Sequence, residues 1–172
     1  MLEIKQLNSE NIEIVSSLAH QIWPHAFDAI LTKDQMRYML DWMYDVNTLK
    51  EQIQTGHLYY IIKENGEARG FLGVEPNYPD AGILRIHKLY VLTDRQGKGL
   101  GRALVNHAID IAFDLDMHSL HLNVNRYNKA ADFYKHIGFE VVGEEDIDIG
   151  KGYLMEDFIM ELKLFPDKKA ES

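Results

Sequence analysis

The sequence contains no cysteine. Disulfide scaffolds, cysteine nucleophiles and thiolate metal sites are therefore excluded. No apolar run approaches the roughly 18 residues of a membrane-spanning helix, and the opening MLEIKQLNSE lacks a signal-peptide pattern. A cytoplasmic location without a membrane partner is expected. Proline, glycine and serine gather into no linker, and neither an internal repeat nor a low-complexity segment is present. One domain is expected over residues 1–165, with 166–172 as a short polar tail. Positive charge is in deficit: 18 Lys and Arg face 27 Asp and Glu, a net charge of −9. Nucleic-acid binding wants a basic face, so no nucleic-acid partner is expected. The acidic balance suits a cationic small molecule, although most acidic surfaces only aid solubility.

The 172 residues suffice for a real core, since a chain of this size buries roughly 70% of its unfolded surface. Leu2, Ile4 and Leu7 suggest a first strand. Asn8 or Ser9 can cap a helix running to Trp23, with Ile12, Val15, Leu18, Ala19 and Ile22 on one face and Pro24 as its stop. Thr32 can cap a second helix carrying Met36, Met39, Leu40 and Met43, a stripe read as core or pocket wall. A short third helix follows near TLKEQIQ. HLYYIIK and ARGFLGVE then read as strands joined at Asn65-Gly66, a strong hairpin signal. GILRIHKLYVL is a long strand, and residues 100–115 a helix with Leu100, Leu104, Ala108, Ile111 and Leu115 on one face. A strand over Ser119 to Val124, a helix over Ala130 to His136 and a hairpin about Gly150-Lys151-Gly152 complete the chain. Strands alternating with single helices, plus two hairpins, define a mixed α/β sheet.

The most informative stretch runs from Leu89 to Arg102. A strand ends, a glycine-rich turn follows and a helix begins. Backbone N–H groups and the positive end of a helix dipole converge there, as a pyrophosphate site requires. A dinucleotide fingerprint fails, because Arg102 stands where the third glycine belongs, and a Walker A loop lacks its Gly-Lys-Ser/Thr. What is present is Gln96-x-x-Gly99-x-Gly101. This resembles the acetyl-CoA pyrophosphate loop of the GNAT N-acetyltransferases. Asn128-Lys129-Ala130-Ala131-Asp132-Phe133-Tyr134, followed by Gly138-Phe139, is similar to that family's second signature. One departure is visible. The family usually has one more residue between the Asn and the Tyr, so either Asn128 or Tyr127 fills the Asn position; Asn128 is preferred. The resemblance covers about residues 2 to 164. Within the family, the two-helix insertion after the first strand, the Leu89-Tyr90-Val91 strand end and the closing Asp157-Phe158-Ile159-Met160-Glu161-Leu162 strand are most similar to the bacterial PaiA-like polyamine acetyltransferases.

The resemblance implies a mostly antiparallel sheet of about seven strands, splayed at the acetyl-CoA site and flanked by four to five helices. It implies that pantetheine lies along Leu89, Tyr90 and Val91, with an amide at Leu89 or Tyr90 facing the thioester carbonyl. The amides of Gln96, Gly97, Lys98, Gly99, Leu100, Gly101 and Arg102 would take the pyrophosphate. Asn123, Asn128 and Lys135 complete the expected cofactor-binding set. Tyr134 matches the tyrosine that protonates the departing CoA sulfur. The base is open. Family members place a glutamate at the position of Asn123, Arg85 or His87, and none of the three is a carboxylate here. A histidine side chain ordinarily changes charge near neutrality, which makes His87 the candidate; a packed strand histidine and a water-borne proton are the alternatives.

Trp23, His25, Phe27 and Asp28 fall where the family often builds its substrate wall, with Tyr38, Trp42, Glu75 and Tyr153 as further candidates. His118 and His121 are read as strand residues without metal-ligand spacing or a carboxylate partner, and no metal is expected. Glu144-Glu145-Asp146-Ile147-Asp148 is read as a solvated hairpin face. The expected function is acetyl transfer from acetyl-CoA directly to a primary amine, a polyamine or another small cationic amine. A protein N-terminal or lysine acetyltransferase, and a CoA-binding module without turnover, remain open. Many relatives pair as dimers, so a homodimer is among the expectations.

Overall fold

A computed structural model describes residues 1–92, 94 and 98–164. Its elements are β1 (Leu2–Gln6), α1 (Glu13–Ala26), α2 (Lys33–Met43), α3 (Val46–Gln54), β2 (Leu58–Glu64), β3 (Glu67–Pro76), β4 (Ile83–Val91), α4 (Leu100–Asp114), β5 (Ser119–Asn125), α5 (Ala130–Ile137), β6 (Glu140–Gly150) and β7 (Tyr153–Lys163). The strands form a seven-stranded sheet in the order β1-β2-β3-β4-β5-β7-β6. With five helices among the described residues, this is the mixed α/β architecture expected from the sequence. The chain packs as two compact units. One is Met1–Glu75 with His87–His107, and the other is Pro76–Ile86 with the chain from Ala108 onward.

In the first unit, β1 and β2 pair antiparallel from Leu2↔Glu64 to Gln6↔Tyr60, and β2 pairs antiparallel with β3. The β2–β3 turn needs left-handed backbone at both central residues, and Asn65 (φ 52°) and Gly66 (φ 85°) supply it. The helices bury one stripe each: Val15, Leu18, Ala19, Ile22 and Trp23 from α1, and Met36, Met39 and Leu40 from α2. Thr32 caps α2, its hydroxyl oxygen accepting from the Gln35 N–H at 3.0 Å. Trp23, Phe27, Phe71 and Tyr90 close into an aromatic cluster, with Trp23 4.6 Å from Phe27 and 5.8 Å from Tyr90.

Two expectations about α1 are corrected. Neither Asn8 nor Ser9 caps it. The Asn8 side chain instead accepts from the N–H groups of Glu10 and Asn11, which fixes a turn, and the helix begins only at Glu13. Such local acceptors compete with helix geometry as readily as they cap it. Pro24 does not stop the helix but lies in its last turn, removing one N–H bond to the carbonyl four residues back, and the helix ends two residues later at Ala26.

In the second unit, the start of β4 pairs parallel with β5, from Ile83↔Ser119 to Ile86↔Leu122. β5 and β6 both pair antiparallel with β7. Leu84, Leu120, Leu122, Phe139 and Met160 are buried there. Gly82 (φ 84°) admits no side chain, because a Cβ would collide with the His118 ring. Leu115, expected on the apolar face of α4, lies beyond the helix end and is exposed.

Candidate active site

The end of β4 is held close to β3. A Cβ on Gly70 would stand 2.6 Å from the Tyr90 carbonyl oxygen, so only glycine lets the strands approach there. The Leu92 N–H donates to the Arg69 carbonyl at 2.7 Å, which pins the chain as it leaves the strand. Leu89 and Tyr90 are half-buried and Val91 is buried.

Gly99 has φ 82°, and among the described residues nothing lies within 4 Å of where its Cβ would be. The left-handed backbone conformation favours glycine here. The Gly99 carbonyl accepts from the Ala103 N–H at 3.0 Å, the first bond of α4. The first-turn amides of an α-helix have no intrahelical acceptor, and in α4 these belong to Leu100, Gly101 and Arg102. Lys98 beside them is exposed, whereas the Leu100 side chain is buried and anchors the turn. Gln96 and Gly97, both expected to bind the pyrophosphate, lie outside the described residues.

His87 has a carboxylate partner in Glu75, which the sequence offered only as a candidate for the substrate wall. Its Nε2 is 2.8 Å from Glu75 Oε1. His57 Nε2 reaches the same oxygen at 3.2 Å, and the two imidazoles stack with centroids 4.9 Å apart. Burial lowers the His57 pKa, His87 lowers it further, and Glu75 acts in the opposite direction. His57 stands one residue before Leu58, which pairs with Val74. The sheet register therefore sets His57 opposite Glu75, a signal that becomes visible only once strand pairing is known.

The opposite face of β4 carries Leu84, Ile86 and Lys88, all buried. The Lys88 ammonium donates to the Tyr59 hydroxyl at 2.6 Å and to Gln52 Oε1 at 3.1 Å, and lies 5.1 Å from the centroids of the Tyr44 and Tyr59 rings. Burial pulls its pKa down to about 7. The sequence reading passed over Lys88, although strict alternation from Leu84 and Ile86 puts it on the core face.

In the second unit, α5 presents Tyr134, which is 6% exposed, with ring contacts to Phe133 and Phe139. Burial raises the phenol's pKa, so it is protonated at neutral pH. The helix closes on Gly138 (φ 125°), and the N–H groups of Gly138 and Phe139 return to the Tyr134 carbonyl at 3.2 and 3.0 Å. This is the glycine-centred helix stop that the Gly138-Phe139 signature encodes. Asn128 turns inward on the backbone, its Oδ1 accepting from the Ala130 N–H at 2.9 Å, while Tyr127 is exposed. Lys135 is exposed, with its ammonium 5.9 Å from the Phe158 ring centroid.

Asn123 is engaged within the protein. Its amide nitrogen donates to Glu145 Oε1 at 2.9 Å and to Asp157 Oδ2 at 3.3 Å. Burial raises the Asp157 pKa, and the bond from Asn123 pulls it the other way. Glu144 and Asp146 pair with Arg126. The acidic run lies on exposed β6 of the closing hairpin, as expected, with several of its carboxylates also tied to neighbours. His121 does have a carboxylate partner, Glu161 at 2.7 Å, a β5–β7 register neighbour invisible to sequence spacing. His118 precedes β5 and is not part of the strand. Of the expected substrate wall, Trp23 and Phe27 are core residues, while His25, Asp28 and Trp42 are exposed and Tyr38 and Tyr153 half-buried.

The glycine turn that opens α4 leaves first-turn amides without intrahelical acceptors, as an anion-binding turn does. A model of the acetyltransferase (GNAT) family matches residues 17–139, and the chain belongs to that family. The peptidyl-lysine N-acetyltransferase YjaB of Escherichia coli is 35% identical over 98 residues, covering 56% of this chain and 58% of that protein. The spermidine N(1)-acetyltransferase of Vibrio cholerae is 32% identical over 75 residues, covering 42% of this chain and 38% of that protein. The chain thus spans about half the length of these curated relatives. The PaiA N-acetyltransferase of Thermoplasma acidophilum, solved with coenzyme A, superposes with a TM-score of 0.79 at 24% identity, over 95% of this chain and 99% of that one. Among the described residues, no helix is long and apolar enough to cross a membrane.

Proposed function

We propose that this chain is an N-acetyltransferase that moves the acetyl group of acetyl-CoA directly to a primary amine, with a polyamine or another small cationic amine as acceptor. The observation that carries this reading is the left-handed Gly99 at the mouth of α4 in a chain of the GNAT family. The amides of Leu100, Gly101 and Arg102 that follow it have no intrahelical acceptor, which suits them to a pyrophosphate. The coenzyme A bound to the Thermoplasma structure supports the same donor.

In this mechanism, the neutral amine attacks the thioester carbonyl carbon. A backbone N–H at Leu89 or Tyr90 holds the oxyanion as it forms. His87 takes the amine proton, directly or through water, and Glu75 orients the imidazole. The C–S bond then breaks, and Tyr134 gives its proton to the departing sulfur. Asn123, Asn128 and Lys135 belong to the proposed donor site.

The net charge of −9 and the similarity to a spermidine acetyltransferase support a cationic small amine. The similarity to a peptidyl-lysine acetyltransferase supports a second reading, a lysine side chain in a protein. Both acceptors are primary alkylamines, so the donor half of the mechanism is unaffected. The deciding experiment is a thiol-release assay with acetyl-CoA over polyamines, amino acids and lysine peptides. Spermidine-like amines are expected to lead, with the rate falling as salt rises; neutral or anionic amines outperforming spermidine would remove the polyamine reading.

Two further results are expected. Gly99→Val forces a β-branched residue into left-handed backbone, at about 1–2 kcal/mol. Acetyl-CoA affinity should fall by roughly tenfold or more in a variant whose circular dichroism is unchanged; full affinity by calorimetry would contradict the donor site. His87→Ala should flatten the acid limb of the pH–rate profile. Glu75→Gln removes the negative charge that favours a protonated imidazole, so that limb should move to lower pH. A limb that neither substitution moves would assign the proton to water or to another group.

A further inference from the structure

His57, Glu75 and His87 offer two imidazole nitrogens and one carboxylate oxygen, all within 4.8 Å of one another. We propose that these three residues bind one divalent transition-metal ion of the zinc type. The donor set is the one zinc takes when three protein ligands leave a fourth position open. Bonds of about 2.0–2.2 Å in tetrahedral geometry separate neighbouring ligand atoms by roughly 3.3 Å. Two of the separations here are already 3.2 and 2.8 Å. Both Nε2 atoms approach the same carboxylate oxygen, so both ring edges converge on one region. All three ligand atoms lie within 4.8 Å of one another, so side-chain adjustment brings them to one ion. The ligands stand on or beside β2, β3 and β4, whose pairing holds them more firmly than loops would.

The side chains are 13%, 24% and 24% exposed for His57, Glu75 and His87, so the cluster is in reach of solvent. His57 Nδ1 is buried and has no hydrogen-bond partner among the described residues. A ligating histidine is normally anchored through its other nitrogen, and loss of that anchor costs about 10–100-fold in affinity. The site is therefore a reversible one, weaker than a structural zinc centre. Sequence spacing gave no hint of it, because the ligands come from β3, β4 and the residue before β2 and meet only through strand register.

A bound ion takes the lone pair of His87. Zinc then inhibits acetyl transfer, a consequence that rests on His87 being the base, whereas binding itself does not. The test is titration of the metal-free full-length chain with Co²⁺. One equivalent should bind with the visible d–d absorption of a four- or five-coordinate site, and Zn²⁺ should bleach it. His57→Gln and Glu75→Gln should each weaken binding by more than the ~100-fold upper cost of losing an outer-shell partner. His121→Gln, altering the other histidine–carboxylate pair, should leave it intact. In the unaltered protein, ¹⁵N imidazole spectra should show Zn²⁺ displacing the resonances of His57 and His87 alone among the eight histidines; this readout does not depend on how the variants fold. Absence of saturable Co²⁺ absorption, its survival in both ligand variants, or displacement of other histidines would overturn the site. Stoichiometric binding with undiminished turnover would uphold the site and overturn His87 as base.

Discussion

Replacing Tyr134 by phenylalanine is expected to lower kcat by ~10²–10⁴, the usual cost of losing a general acid, while acetyl-CoA affinity changes little. Thiolate leaves poorly from an amine adduct unless it is protonated as it departs. Tyr134 suits that task because burial raises its pKa and keeps the proton on the phenol at neutral pH. The substitution retains the ring, and so retains its contacts with Phe133 and Phe139. Only the hydroxyl is lost, which separates chemistry from packing. Steady-state kcat measured beside a direct acetyl-CoA titration on the same preparation checks the claim. Near-full turnover in the phenylalanine variant would reduce Tyr134 to a packing residue.

The parts of this site legible in the sequence are those written in local backbone chemistry. Asn65-Gly66 encodes its hairpin, Thr32 its helix cap, and Gly138-Phe139 the stop of α5, because each depends on a few consecutive residues. Gly99 belongs with them: its left-handed φ is a property of the turn itself. Groups that meet across strands were not legible. His87 finds Glu75 from β3 and His57 from the edge of β2, and His121 finds Glu161 from β7. Such pairs depend on register, which no spacing along one strand reveals. Asn8 shows the opposite failure, a local signal that was real but satisfied by a turn and not by the helix it precedes. The Met stripe of α2, legible as core or pocket wall, places Met36 and Met39 in the core.

Lys88 is the group whose effect on stability should be largest. It is 5% exposed, and burial lowers its pKa from 10.5 to about 7. Below about pH 7 the lysine is protonated in both states, and the folded protein carries the full cost of a buried charge. Above pH 10.5 it is neutral in both states and the cost is gone. In the interval the unfolded chain binds more protons than the folded one, so unfolding free energy rises with pH. A single proton gives at most about 1.4 kcal/mol per pH unit. Lys88→Met retains much of the aliphatic stem, leaves the Tyr59–Gln52 hydrogen bond in place and cannot titrate. It should therefore be more stable than the unaltered chain at pH 7, and that advantage should shrink steadily toward pH 9.5. The comparison stops there because tyrosine ionisation in the unfolded chain begins to contribute near its ordinary pKa of about 10. Denaturant unfolding of both proteins at several pH values in this range gives the difference directly. Parallel stability curves would mean that Lys88 keeps an ordinary pKa in the folded protein, with water reaching its ammonium between the Tyr44 and Tyr59 rings.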